Sequence, residues 1–149
     1  LLVSRTMSKA FAFAGARVGY LAADPAVIDA LRLVRLPYHL STVKQAVARV
    51  ALRFSDELQG QVTLLRNERD DLASWFKAQG FEVTPSGANF LLFGTFGDRN
   101  EVWEQLVEQG VLIRQTGPSG WLRVSIGTPE ENQAFKTALL QVTNRTNGK

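Results

Sequence analysis

Ser4-Arg5-Thr6-Met7-Ser8-Lys9-Ala10-Phe11-Ala12-Phe13-Ala14-Gly15-Ala16-Arg17-Val18-Gly19-Tyr20 is the stretch that decides how the chain is read. An apolar run before it, Leu1–Ser4, reads as a short buried strand. Arg5–Lys9 is a polar turn, and Ala10–Ala16, small and aromatic by turns, suggests a loop crossing the interior. Val18–Ala23 reads as a second buried strand. Lys9 therefore stands at a strand end among hydroxyls and small apolar residues. Buried amines lose their charge readily, and the neutral form attacks a carbonyl. Arg17, eight residues on, offers a planar fork suited to an oxyanion that the Thr6 and Ser8 hydroxyls could also reach.

Working outward, the pattern turns helical. Asp24-Pro25 pairs an N-cap residue with proline at the first helical position, and Val27, Leu31 and Val34 predict a buried stripe. Pro37 ends that helix. Ser41 can cap the next, with a stripe of Val43, Val47, Val50 and Phe54. A long helix follows from about Asp56 to Gln79, striped by Leu58, Val62, Leu65, Leu72 and Phe76, with Gly80 as its stop. Strands at Phe81–Thr84 and Asn89–Phe93 flank the turn-forming Pro85-Ser86-Gly87. Asp98 with Glu101 predicts a capping box ahead of a helix through Val102, Leu106 and Val107. Val111–Arg114 and Trp121–Ile126 read as strands joined by the Gly117–Gly120 turn. Thr128-Pro129-Glu130-Glu131 is a second capping box, opening a helix through Phe135, Leu139 and Val142. Asn144–Lys149 reads as a polar tail whose Asn-Arg-Thr sequon is coincidental.

This order predicts an α/β chain. Residues 1–36 look like the end of a parallel α/β domain, and the part from about Ser41 like a smaller α+β domain, with a joint near Pro37–His39. The opening inside an apolar run, without Met, suggests a piece of a longer protein. At 149 residues the chain has a size typical of one domain or two small lobes. It has no cysteine and one histidine, His39, which excludes disulfide scaffolds, thiolate metal sites and multi-histidine metal centres. No metal is expected. No apolar run approaches the ~20 residues of a membrane span, so a soluble protein with no membrane partner is expected. The 17 Lys and Arg exceed the 14 Asp and Glu by three, and nine of these basic residues fall within residues 1–66 against four acidic ones. They form no lysine-rich run with interleaved aromatics, so no nucleic-acid partner is expected. Small anionic ligands suit the excess better.

A lysine poised to form a Schiff base beside a phosphate cradle is what pyridoxal 5'-phosphate requires, since that cofactor is an electron sink anchored by its phosphate. Spacing alone leaves open a surface turn with a solvated Lys9 and an ordinary ion pair at Arg17. The residue strings go further. Ser8-Lys9-Ala10-Phe11 with Gly15-Ala16-Arg17-Val18-Gly19-Tyr20 resembles the cofactor-lysine segment of class II, fold-type I aminotransferases. Arg5-Thr6-Met7-Ser8-Lys9-Ala10-Phe11 is most similar to the histidinol-phosphate branch of that family. The resemblance continues through Ser86-Gly87-Ala88-Asn89-Phe90, Gly110-Val111-Leu112-Ile113-Arg114, Leu122-Arg123-Val124-Ser125-Ile126-Gly127-Thr128 and Glu130-Glu131-Asn132.

The resemblance implies a fold-type I pyridoxal-phosphate transferase. Residues 1–40 would be the C-terminal end of its large cofactor-binding domain, and 41–149 its small substrate domain. It implies that Lys9 is the Schiff-base lysine and proton shuttle, and that Thr6, Ser8 and Arg17 hold the cofactor phosphate. The activity implied is amino-group exchange between L-histidinol phosphate or imidazole acetol phosphate and glutamate or 2-oxoglutarate, in a cytoplasmic homodimer of histidine biosynthesis. Family parts that precede the lysine strand are not in this chain, so the piece is expected to be inactive alone. They include the glycine-rich phosphate turn, the ring over the pyridine and the aspartate on its nitrogen. An aromatic amino-acid aminotransferase, a phosphate-substrate decarboxylase and a non-catalytic truncated domain are the alternatives.

Period two along Leu122–Ile126 puts Leu122, Val124 and Ile126 on one face and Arg123 and Ser125 on the other. An arginine so placed serves either a solvated sheet face or an anion site. Arg114 ends the neighbouring strand, and the Gly117–Gly120 turn can bring the two arginines together. The resemblance implies that Arg123 clamps the substrate carboxylate or phosphate, that Arg114 assists with the phosphate, and that Asn89 lies near the substrate. As an amide leaving a turn, Asn89 could equally bond only the backbone. Tyr20, Trp75, Trp103 and Trp121 read as packing residues, and Glu130-Glu131 as cap rather than acid/base pair.

Overall fold

The computed structural model describes residues 1–146. It divides into two compact units, Leu1–Val62 and the chain from Thr63 onward, with the division inside a long helix.

In the first unit, β1 (Val3–Thr6) pairs antiparallel with β2 (Gly19–Ala22), Val3 opposite Ala22 and Thr6 opposite Gly19. One expectation is corrected here: the strands are largely exposed rather than buried. A strand is buried only where another layer covers a face, and in this unit the cover collects just beyond the strand ends. Met7 and Val18 are buried there with Ala48, and Phe11, Phe13, Ala16, Leu40 and Ala51 pack around them. The loop from Ala10 to Ala16 follows the surface, its alanines at 10, 12 and 14 exposed, rather than crossing the interior.

Two capped helices follow. Asp24 accepts the Ala26 amide at 2.9 Å to start α1 (Pro25–Val34), and Ser41 accepts the Lys44 amide at 3.3 Å to start α2 (Thr42–Arg53). Their expected stripes are not covered. Val27, Leu31, Val34, Val43, Val47, Val50 and Phe54 are all exposed. The face that α2 turns inward is instead the buried Ala48 with the half-buried Ala51, in the cluster that Phe11 and Phe13 pack against. Amphipathic spacing reports the face that favours cover, not the face that finds it.

The second unit encloses its own core. α3 (Ser55–Ala78) ends as expected at Gly80, whose φ of +82° lets the Phe81 amide bond the Phe76 carbonyl at 2.9 Å. β3 (Glu82–Val83), β4 (Phe90–Gly94) and β5 (Leu122–Ser125) form an antiparallel sheet in that order. Ser86 fastens the turn before β4, donating to the Phe90 carbonyl at 2.7 Å and accepting the Ala88 amide at 3.1 Å. α4 (Arg99–Glu108) and α5 (Pro129–Thr146) supply the rest of the helical layer. The Phe76 and Phe93 rings stack at 4.4 Å, and Phe135 meets both edge-on. Around them Leu72, Leu91, Leu106, Leu122, Leu139 and Val142 are almost wholly enclosed. Trp75 and Trp103 pack against this cluster, as packing residues should.

Three local expectations need amending. Val111–Arg114 is not a strand; its one ladder contact is an isolated bridge at Arg114. Asp98 caps α4, accepting the Asn100 and Glu101 amides at 2.8 and 3.1 Å, but Glu101 turns outward to accept from Gln105 instead of completing the box. α5 continues to Thr146, through the start of the stretch read as a tail; the rest of that tail lies outside the described residues. The second capping box forms in full. Thr128 donates its amide to Glu131 at 2.8 Å, and the Thr128 hydroxyl accepts the Glu131 amide at 3.3 Å. Asn132, buried behind it, brackets the Gly127 peptide and reaches Glu68 on α3 at 2.8 Å.

Gly19 stands opposite Thr6 across the first ribbon, and a Cβ there would sit 2.5 Å from the Arg5 carbonyl oxygen. Gly19→Ala should cost about 1–3 kcal/mol of overpacking strain. Amide exchange at Met7, whose N–H bonds Val18 at 3.1 Å, should accelerate with it. In the α5 cap, a backbone hydrogen bond and then the Thr128 hydroxyl hold the exposed Glu130 carboxyl below its ordinary range. The stabilisation is therefore present above the ordinary carboxylate pKa and is lost as pH falls through the lowered value. Glu130→Gln should lower the thermal midpoint at neutral pH, and the difference from wild type should close in acid.

Candidate functional site

In the first unit the candidate residues lie on one short path. β1 ends at Thr6, and the Thr6 hydroxyl donates to Ser8 Oγ at 2.8 Å while accepting the Ser8 amide at 3.1 Å. This small turn sets the backbone that carries Lys9. Met7 anchors it from below, bonding Val18 through its amide and Phe13 through its carbonyl, both at 3.1 Å. Ala12 closes the next turn onto the Lys9 carbonyl at 3.0 Å. Lys9 itself is exposed in this chain rather than buried among apolar neighbours. Arg17 has left-handed backbone, φ 55°, directly after a 3₁₀ turn at Ala14–Ala16, and donates to the Ala14 carbonyl at 3.2 Å. A non-glycine residue in that region is uncommon, and a surrounding structure has to hold it there.

In the second unit the Gly117–Gly120 turn brings the two arginines' backbones together. The Arg114 amide donates to the Arg123 carbonyl at 3.0 Å, and the Arg123 amide to the Arg114 carbonyl at 2.9 Å. Residues that exchange both bonds in an antiparallel pair project from the same face. Arg123 also pairs with Leu92 of β4 on its other side. The row Leu92–Arg123–Arg114 thus crosses the outer face of the sheet, while Leu91, Leu122 and Val124 fill the core. The alternation expected for Leu122–Ile126 is present. Leu112, Arg114, Arg123 and Ser125 line an open depression of about 450 Å³ on this face.

The sequence did not reveal what holds Arg123. Its guanidinium carbon lies 4.7 Å from the centroid of the Phe90 ring, and its Nε is buried without a hydrogen-bond partner. Stacking on an aromatic face fixes the guanidinium plane. The signal available was the alternation Phe90/Leu92 along β4, which puts Phe90 on the arginine face; nothing in the spacing connects it to residue 123. Trp103 was read only as packing, yet its indole N–H bonds the Ile113 carbonyl at 2.8 Å and ties the segment entering Arg114 to α4. Asn89 is half-buried, and its carbonyl accepts the Ile126 amide at 3.0 Å, extending the β4–β5 pairing by one residue. Among the described residues no group of three or more His, Cys, Asp or Glu side chains could hold a metal ion. No helix among them is long and apolar enough to cross a membrane.

Residues 1–139 match the family model described as aminotransferase class I and II. A histidinol-phosphate aminotransferase of Thermobifida fusca is 64% identical over 145 residues, covering 97% of this chain and 40% of that relative. One from Streptomyces avermitilis is 56% identical over 147 residues, covering 99% of this chain and 40% of the relative. Among solved structures, the histidinol-phosphate aminotransferase of Sinorhizobium meliloti in complex with pyridoxal-5'-phosphate superposes with a TM-score of 0.83. It is 26% identical, over 97% of this chain and 41% of that one. The aspartate aminotransferase of Thermotoga maritima gives 0.78 at 25% identity, over 98% and 40%. The chain thus spans about 40% of the length of the curated relatives it matches. Its sequence match and its fold agree, and the chain belongs to the class I and II aminotransferase family.

Proposed function

We propose that this chain carries the cofactor-lysine segment and the substrate-anion face of a pyridoxal-phosphate-dependent transaminase. Its substrates are L-histidinol phosphate and 2-oxoglutarate, with imidazole acetol phosphate and glutamate as products. The observation that carries this reading is the Arg114–Arg123 bridge, which sends two arginine side chains out of one sheet face. Relatives at 54–64% identity bearing the histidinol-phosphate name support the substrate class.

The donor set of the first unit fits pyridoxal phosphate. Two hydroxyls, a guanidinium and a primary amine are gathered on one stretch of chain, and none of the four is committed to an ion pair among the described residues. Thr6, Ser8 and Arg17 would hold the phosphate, and Lys9 would carry the aldehyde. When bound, the cofactor supplies an electron sink for the carbanion left by proton removal. Lys9 Nζ then holds and returns that proton, which requires a flexible stem on a fixed backbone. The Thr6–Ser8 turn and the Met7 anchor supply the fixed part. Arg123, its plane set by Phe90, grips a carboxylate or phosphate through its fork, and Arg114 adds a second cation where the substrate ends in phosphate. Both substrates present an anion to the same donors, which lets one pocket serve both half-reactions. In the intact protein, residues 1–40 complete the large cofactor-binding domain and 41–149 form the substrate domain. That protein acts as a cytoplasmic homodimer, and Asn89 lies near the substrate.

Borohydride reduction of the full-length, cofactor-loaded protein followed by peptide mapping should place the label on Lys9. A label on any other lysine overturns the assignment. Lys9→Ala should reduce kcat by roughly 10³-fold or more. Arg123→Lys, which keeps the charge but loses the fork, should raise KM for glutamate about 10-fold. Turnover of phenylalanine in preference to histidinol phosphate would move the protein to the aromatic branch, and release of carbon dioxide would make it a decarboxylase.

A further inference from the structure

Arg99, at the first position of α4, is half-buried and bonds the loop that joins the two candidate arginines. Its Nη1 donates to the Pro118 carbonyl at 3.0 Å and is shared with the carbonyls of Gly117 and Trp121 at 3.4 Å. Beside it, Asn100 accepts from Gln115 at 3.2 Å. One turn further along α4, Trp103 bonds the Ile113 carbonyl. A single helix therefore holds the chain before Arg114, directly after it, and again at the approach to Arg123. The loop has little else to fix it: Trp121 bonds Pro118 within the turn, and Gly120 accepts from the Phe96 amide. Arg114 meets the ladder only through the isolated bridge to Arg123, so its position depends on the loop that follows it. Arg99 forms no ion pair with a carboxylate among the described residues. Its charge is spent on carbonyl oxygens, and charge-assisted bonds of that kind are among the stronger ones available to a loop.

We propose that Arg99 is a positioning residue for anion recognition: by clamping the Gly117–Trp121 loop it fixes Arg114 beside Arg123, and so sets the affinity for the phosphate end of the substrate. This rests on the transaminase reading above. A site held a fraction of an ångström too loose binds its anion less well while the reacting centre elsewhere is unaffected.

The test uses the full-length, cofactor-loaded protein that carries this sequence. Wild-type turnover of histidinol phosphate is measured first; its absence sinks the transaminase reading and leaves no phosphate pocket for Arg99 to serve. With turnover established, Arg99→Ala should raise KM for histidinol phosphate about 10-fold with kcat within about twofold of wild type. The cofactor absorbance should be unchanged. Arg99→Lys, which can still donate to the loop carbonyls, should recover most of the loss and guards against an alanine variant that folds poorly. On an Arg114→Ala background, Arg99→Ala should add little further, because it acts through the missing side chain. An unchanged KM in Arg99→Ala overturns the proposal. So does a fall in kcat matching the rise in KM, or a full second loss added to Arg114→Ala.

Discussion

Two arginine side chains leave one face of the sheet because two peptide groups bond each other. The Arg114–Arg123 bridge leaves no choice about this: reciprocal amide–carbonyl bonds in an antiparallel pair send both side chains out of one face. Like charges opposite each other on a sheet are unfavourable, and neither arginine has a carboxylate partner among the described residues. The strain is eased rather than removed. Phe90 takes the face of Arg123, while the exposed Arg114 keeps its charge in water. Such an arrangement is less favourable without an anion than with one, which is what the proposed recognition of a substrate anion asks for.

The Arg123 side of this pair is fixed by the core beneath it. Leu122 and Val124 are buried on the opposite face of the strand that carries Arg123. They pack in the same cluster as Leu72 and Phe76 of α3 and Leu139 and Val142 of α5. Turning the strand to re-aim Arg123 would pull two core residues out of a close-packed interior. The buried Asn132 adds a polar lock at the exit of β5, bonding both ends of the Gly127 peptide and reaching Glu68.

Much of this was legible in the sequence because it follows from short-range rules. The caps at Asp24, Ser41 and Thr128 depend on contacts two to four residues apart, and the stop at Gly80 depends on one backbone angle. The period-two split at Leu122–Ile126 needed only alternation. What failed was long-range. Whether the Val27 and Val43 stripes find cover is decided by chain distant in sequence, and the loop between β1 and β2 keeps to the surface along a path that no local rule gives. The bonds from Arg99 span 18 to 22 residues, and the ring on Arg123 comes from the neighbouring strand. Such contacts leave no trace in spacing.

The two sets of candidate residues are held in place by different means, and the difference suits their chemistry. An anion clamp gains from rigidity, since its donors must match a fixed oxygen geometry, and the arginines are mounted on a bridge backed by a dry core. In the proposed reaction the amine at Lys9 would take up and release a proton, which needs reach. Its backbone is pinned by Met7 and by the Thr6–Ser8 turn, yet its long side chain stands free of packing. A lysine built into a strand interior would have its stem fixed by neighbours on both sides. Three residues past the end of β1, it keeps a fixed backbone origin and an exposed side chain, the combination that the proposed proton transfer asks for.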